Sequence, residues 1–529
     1  MRLNPWVCAR RIPKSSVLPP ICLLGAPRAR WSSTEARQWS TPLAKSLAEA
    51  ITTTGPISVA SYMRQCLTSP DGGYYTTRVA EGQDQFGRKG DFITSPEISQ
   101  VFGELIGIWV VAEWMAQGRK RDGVYLMEVG PGRGTLMDDM LRTIRNFKSM
   151  ASSIESVYLV EASPHLRAAQ HKLLCGSAPL TEIENGYQST SKYSDQLKII
   201  WYEDIKFVPQ DPTKTPFIIA HEFFDALPIH IFQSVSPITG TSSIVTSSSA
   251  PPPPKGHLSK PNQWREMLVS PVSPHKIVTP TGTYDKKRGS DGKGEKVEFE
   301  LTLSKGQTPH SLYLPTLSER YKALLPNPGS IIEISPESLN HVSDFAIRIG
   351  GADPSSKPSS QPALSSSPPI PSGAALLLDY NASPTPTTIP ANTLRGIRSH
   401  KPCSPFSSPG RVDLSADVDF VALAEAAIKA SPGVEVWGPV EQGAWLGGMG
   451  GGERVAKLMG GGSRKEGGEE SEEGEERRKR IEGGWKRLID RGPQGMGRLY
   501  KVMAVVPHLP TSEKGGKRAP VGFGGDVEV

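Results

Sequence analysis

The chain has 529 residues, with 60 basic side chains against 54 acidic ones and a formal net charge of +6. Five cysteines (Cys8, Cys22, Cys66, Cys175 and Cys403) show no paired spacing, which argues against a disulfide framework or a zinc ribbon. The strongest apolar stretch, Leu105 to Met115, is broken by Glu113 and is too short to span a bilayer.

The N-terminal segment 1–39 carries Arg2, Arg10, Arg11, Lys14, Arg28, Arg30 and Arg37 against one acid, Glu35. Serines and small apolar residues fill the rest, the composition of a mitochondrial presequence ending in a disordered N-terminus. A cut near Trp31 would remove six basic residues and no acid, which is the whole of the +6. The mature chain is then expected to be near neutral, without the clustered Lys and Arg of a nucleic-acid footprint. Its expected address is the mitochondrial matrix.

In the folded part, Gly90-Asp-Phe-Ile-Thr-Ser-Pro-Glu97 reads as a loop feeding a helix, with Ser95 as cap and Pro96 and Glu97 in the first turn. Val124 to Met127 is a short buried-type strand, followed at once by Glu128-Val-Gly-Pro-Gly-Arg-Gly-Thr135. Leu136, Met140, Leu141, Ile144 and Phe147 then recur at helical spacing, completing a strand–turn–helix unit of nucleotide-binding type. A dinucleotide fingerprint requires a glycine at the sixth position, which here is Thr135. Gly130, Gly132 and Gly134 instead give the pattern of S-adenosylmethionine-dependent methyltransferases. The competing readings are another nucleotide-type binder and a structural glycine turn.

Further strands are expected at 157–160, 197–202, 217–220, 330–334, 374–378 and 499–506, with helices at 163–174, 336–349 and 419–430. Such alternation predicts an α/β fold with a mostly parallel sheet covered by helices on both faces. Segments near 236–262, 282–296, 353–372, 383–410 and 447–484 are rich in Ser, Pro, Gly or charge, and are expected to be disordered insertions in one domain spanning 40–507. A disordered tail is expected over 508–529.

Ligands of such sheets bind at the carboxyl ends of the strands. Acids stand there repeatedly: Glu128, Glu161, Asp204, Glu222 with Asp225, and Asp379. Glu161 is placed to accept from a ribose and Asp204 to meet an adenine amino group, although a long connection must separate Glu161 from the glycine loop. His221-Glu222-x-x-Asp225 lacks the second histidine of a zinc protease motif, so no metal is expected. Its carboxylates suit a cationic substrate.

The chain resembles the mitochondrial MidA family, the complex I assembly-factor protein arginine methyltransferases. The resemblance rests on Gly87 to Glu104, Glu128 to Thr135, His221-Glu-Phe-Phe-Asp-Ala-Leu-Pro228, Trp264-Arg-Glu266, Asp379-Tyr380, Ala416 to Phe420 and Met496-Gly-Arg498. It implies a class I, Rossmann-like methyltransferase fold with antiparallel and low-complexity insertions. It also implies S-adenosyl-L-methionine held by Gly130, Gly132, Gly134 and Glu161, to which the strand-end acids add Glu128 and Asp204 as cofactor-binding candidates. The implied reaction is symmetric dimethylation of an arginine on a core matrix-arm subunit of respiratory complex I, with Glu222, Asp225 and His221 as candidate catalytic groups. The alternative is a non-catalytic assembly chaperone on the same fold. The family usually has glycine where this chain has Asn381, a residue that tolerates left-handed backbone.

Overall fold

The computed structural model describes residues 37–77, 93–236, 261–273, 297–352, 370–385, 387–460, 472–508 and 518–524. The elements considered below belong to the unit Trp39–Val529. The expected presequence, apart from residues 37–39, lies outside the described residues, as do residues 237–260, 282–296, 353–369 and 461–471 of the expected insertions and 509–517 and 525–529 of the expected tail.

Nine strands form the central sheet, numbered here in chain order: β1 Val124–Val129, β2 Ile154–Val160, β3 Thr181–Ile183, β4 Gly186–Ser191, β5 Ser194–Tyr202, β6 Thr215–His221, β7 Ala374–Tyr380, β8 Val434–Glu441 and β9 Tyr500–Pro507. Their spatial order is β8-β9-β7-β6-β1-β2-β5-β4-β3. Strands β7, β6, β1, β2 and β5 are parallel. β9 enters antiparallel between β7 and β8, while β4 and β3 extend the other edge as an antiparallel hairpin. The order reverses between β1 and β6, which opens a crevice at their carboxyl ends.

Burial on both faces explains the near-continuous apolar runs of these strands. Val124 and Leu126 of β1 join a core with helices Gln100–Ala116 and Thr135–Ile144 on one face. Tyr125, Met127 and Val129 join Val342, Phe345 and Leu423 of helices Pro336–Gly350 and Phe420–Ala430 on the other. Glu104 and Glu113, buried on the apolar helix, are compensated by cations: Arg142 and Arg454 on Glu104, Arg518 on Glu113. Among the described residues no helix is long and apolar enough to cross a membrane.

A second, antiparallel sheet is built from Ile57–Ser58, which precedes the central sheet in the chain, and from His230–Val235, Gln263–Pro271, Phe299–Leu303 and Ile331–Ile334, which follow β6. The strand expected at 330–334 therefore exists but lies outside the parallel sheet. It pairs antiparallel with His230–Val235, because Ile332 and Ile334 bury against Phe232 and Trp264.

Three disordered segments of the sequence reading are corrected. Within 383–410, strands Arg395–Arg398 and Lys401–Cys403 pair with each other, and the first also pairs with Asp413–Ser415. The half-buried Leu394, Cys403 and Phe406 pack there into an apolar cluster around Leu47 and Met63. Within 447–484, helices Gly451–Gly460 and Glu472–Ile489 are present, the latter anchored by Ile481, Trp485, Leu488 and Ile489 against the main core. Within 508–529, Val521 and Phe523 pack on that same core. In each case a few well-spaced apolar residues outweigh a polar average composition. The short helix Ser95–Ile98 also differs from expectation, since Thr94 occupies its N-cap position and Ser95 is its first residue.

Candidate active site

The glycine loop closes over the carboxyl end of β1, with Gly130, Gly132 and Gly134 all at positive φ (65°, 53° and 85°). Each glycine answers a different constraint. A Cβ on Gly130 would meet Phe223 at 2.9 Å, and one on Gly134 would meet Gln170 at 3.2 Å. A Cβ on Gly132 would meet nothing within 4 Å and would project into open space. That space belongs to a cavity of about 620 Å³ lined by Gly130, Gly132, Glu128, Glu161, Asp204, His221, Glu222 and Asp225, among others. Every sequence-predicted site residue except Gly134, which caps helix Thr135–Ile144 behind the loop, therefore reaches one cavity.

Glu161 directly follows β2, with its carboxylate buried. It accepts from the Ser163 N–H at 2.8 Å and from the Gln170 side-chain amide at 3.0 Å. Burial pushes its pKa up to about 7 against the opposing hydrogen bonds from Ser163 and Gln170. Glu128 is more extreme, as burial and the neighbouring Glu161 push it up to about 8, and its Oε2 is buried with no hydrogen-bond partner. The connection between Gly130 and Glu161 accommodates helices Thr135–Ile144 and Lys148–Ala151, which accounts for its length. Asp204 caps a 3₁₀ turn, accepting from the Lys206 N–H at 3.0 Å with the Lys206 ammonium at 3.0 Å. Although its partial burial acts upward, these contacts hold its pKa below the ordinary value.

At the end of β6, Glu222 adopts φ 49°, an uncommon conformation for a non-glycine residue. Two features fix it. Its N–H donates to the Leu378 carbonyl at 2.9 Å. The next two N–H groups, of Phe223 and Phe224, donate to the buried Asp379 carboxylate at 3.1 and 2.8 Å. Asp379 thus fastens the acidic turn to β7 and does not face a ligand. Glu222 Oε1 accepts from the Ser95 N–H at 3.4 Å and lies 3.2 Å from His221 Nε2. His221 itself is buried against Phe102, with ring centroids 5.0 Å apart. Burial pushes Asp225 up to about 6, opposed by the nearby Arg395 guanidinium and a Ser415 hydrogen bond and reinforced by Glu222. Arg395 also pairs with Asp417 and stacks 4.1 Å over the Tyr380 ring.

Asn381 does not take a positive φ. Its side chain works instead, donating to the Val418 carbonyl at 2.6 Å and accepting from the Ser383 N–H at 2.7 Å. The turn after β7 is thus held by side-chain hydrogen bonds, without use of the left-handed backbone that Asn tolerates.

A family model described as "Putative S-adenosyl-L-methionine-dependent methyltransferase" matches residues 105–440. The Drosophila melanogaster protein named protein arginine methyltransferase NDUFAF7 homolog, mitochondrial, is 33% identical over 90% of this chain and 87% of its own length. The chain belongs to the mitochondrial MidA family. The Homo sapiens MidA-family protein, named protein arginine methyltransferase NDUFAF7, mitochondrial, is 32% identical over 88% of this chain and 84% of its own. A Burkholderia thailandensis crystal structure bound to S-adenosyl-homocysteine shares the fold, with a TM-score of 0.56 at 19% identity over 88% of this chain and 92% of that one.

The cofactor of this MidA-family chain is S-adenosyl-L-methionine, and the cavity fits such a group on its own evidence. The open side of Gly132 leaves backbone accessible, Glu128 offers an unsatisfied buried oxygen, and the volume falls within the roughly 300–1,000 Å³ of small-molecule sites. Glu161 keeps unused lone pairs beside its two accepted hydrogen bonds and can still receive hydroxyl donors.

Gln170 escaped the sequence reading. On helix Pro164–Cys175, its amide nitrogen donates to the Gly132 carbonyl at 2.7 Å and to Glu161, while its oxygen accepts from the Trp201 indole N–H at 3.0 Å. One buried amide therefore fixes the glycine loop, the Glu161 carboxylate and β5 together. The available signal was a Gln four residues after the apolar Leu166 on a core-facing helix stripe, where a polar residue requires partners.

Proposed function

We propose that this protein methylates an arginine side chain of a core matrix-arm subunit of respiratory complex I, giving symmetric dimethylarginine during assembly in the mitochondrial matrix. The observation that carries the proposal is the meeting of two groups of residues in one cavity. The glycine loop with Glu128 and Glu161 would hold S-adenosylmethionine, and the Glu222–Asp225 turn opens onto the same space. The names of relatives as mitochondrial protein arginine methyltransferases support the substrate class.

When bound, S-adenosylmethionine supplies an electrophilic methyl group on a sulfonium. The chain's own residues bind and orient the guanidinium. Arginine arrives charged, with a pKa above about 12, so carboxylates are the natural receptors. Glu222 is the freer of the two, since Asp225 already faces Arg395 and Ser415. The proton that the guanidinium must release can be received at Glu222 Oε1, with the buried His221 Nε2 3.2 Å away as the alternative base. Because the turn is held by Asp379, the orientation is set before substrate arrives, which is where most of the help to a displacement reaction lies.

The test is incubation of the mature protein with the recombinant subunit and labelled S-adenosylmethionine, alongside Glu222→Gln and Gly132→Val. Label in symmetric dimethylarginine with wild type, and its loss in both variants, is the expected result. Cofactor and subunit binding without any methylated product would replace this reading with the assembly chaperone.

A further inference from the structure

The second sheet holds a cluster that the methyltransferase reading does not use. His230 opens strand His230–Val235, Glu266 lies on the neighbouring strand Gln263–Pro271, and His310 lies on the short helix Pro309–Tyr313. His230 Nδ1 is 2.7 Å from Glu266 Oε1, and His310 Nδ1 is 3.6 Å from Glu266 Oε2. The ligand-type atoms of all three residues lie within 4.8 Å of one another.

We propose that His230, Glu266 and His310 bind one divalent transition cation, zinc being the ion their chemistry suits. Three observations lead there. Two imidazoles with one carboxylate form a recurrent three-ligand zinc set that leaves a fourth position for water. Tetrahedral ligands at zinc's bond lengths stand about 3.3 Å apart, and the observed 2.7 and 3.6 Å fall on either side of that spacing, with all three ligand-type atoms within 4.8 Å of one another. Charge supplies the third observation. Glu266 is 1% exposed, and among the described residues no lysine or arginine pairs with it. A buried carboxylate requires compensation, and among the described residues the side chains that supply it are His230, His310 and Thr308, whose hydroxyl donates at 2.5 Å; a cation held between the two imidazoles would meet its anionic ligand there.

The site has an entrance. The His310 side chain is 53% exposed, while Glu266 and His230 are buried beneath it. An ion can therefore enter from the His310 side and keep a solvent ligand there. Occupancy would fasten helix Pro309–Tyr313 to the sheet through His310, beside the hydrogen bond from its N-cap Thr308 to Glu266. The ligands come from two strands and a helix distant in sequence, so no spacing motif announces them.

The test uses the full mature chain, stripped with chelator, titrated with Co²⁺ and separately loaded with Zn²⁺, then gel-filtered for elemental analysis. Expected are one zinc per chain, a tetrahedral Co²⁺ visible spectrum and a Tm raised by zinc. In His310→Ala, which alters an exposed side chain, affinity is expected to fall by at least about tenfold, since even groups behind metal ligands cost 10–100-fold when lost. Glu266→Gln serves as a second probe, its fold checked by circular dichroism. Absence of stoichiometric zinc in the wild type overturns the proposal. So does zinc retained equally by wild type and His310→Ala, which would place the ion on other groups such as the free cysteines.

Discussion

Replacing Gln170 with Leu tests whether one buried amide couples the stability of the fold to the cofactor site. Leucine keeps most of the volume between Gly134 and Trp201 but removes all three hydrogen bonds. The buried Trp201 N–H then lacks its acceptor, at about 1–3 kcal/mol. Glu161 loses a donor to a charged group, at about 1.5–3 kcal/mol. The Gly132 carbonyl borders the cavity and can turn to water, so it adds little. The expected destabilisation is about 2.5–6 kcal/mol, a large fraction of a typical total of about 5–15 kcal/mol. Urea denaturation at constant m-value measures it. Calorimetric titration of S-adenosylmethionine is expected to show affinity lower by about tenfold or more, about 1.4 kcal/mol or above, because Glu161 and the loop lose their common tether. A variant within about 1 kcal/mol of wild type, binding cofactor as tightly, would refute the argument that Gln170 positions the site.

Gly130→Ala and Gly132→Ala should separate structural from ligand constraints. The first drives a Cβ into Phe223 and is expected to lower stability by well over the roughly 1–2 kcal/mol of left-handed backbone, whereas the second should stay near that value and weaken cofactor binding more; thermal melts beside cofactor titrations compare them. Glu128, raised to about 8 by burial, keeps a proton in the folded state that the unfolded chain loses from about pH 4.5 upward. Its contribution to stability is thus full at low pH and lost as pH rises through that window. Glu128→Gln should therefore lose less stability than wild type between about pH 4.5 and about 8, and a steeper loss in the variant would contradict the sign. Arg518→Ala leaves buried Glu113 without its bidentate partner and should cost about 3–5 kcal/mol, with Glu113→Gln added to it restoring part of the loss.

The parallel core of the fold was legible because its strands are apolar on both faces and end in acids. Val124 to Met127, Phe217 to Ala220 and Ala374 to Leu378 all fell within observed strands. The glycine loop was legible for a related reason: close approach and positive φ admit few other residues there. Context decided the rest. Ile331–Ile334 has the composition of a core strand, yet which sheet it joins depends on Phe232 and Trp264, far away in sequence. Helix Glu472–Ile489 was hidden by its charged first half, although Ile481, Trp485, Leu488 and Ile489 carry a helical period. Acids at strand ends looked equivalent in sequence and differ in space. Glu161 and Glu222 face the cavity, Asp204 is largely engaged by Lys206, and Asp379 is spent on backbone N–H groups.

The position of β9 bears on how the chain becomes a protein at all. This strand, close to the C-terminus, pairs with β7 on one side and β8 on the other, so neither has its neighbour until residues 500–507 arrive. A chain emerging N-terminus first, from a ribosome or a membrane pore, would expose two unpaired apolar edges throughout its delivery, a state prone to intermolecular pairing. A product truncated before Tyr500 is for that reason a candidate for chaperone capture and degradation, and not a smaller working enzyme.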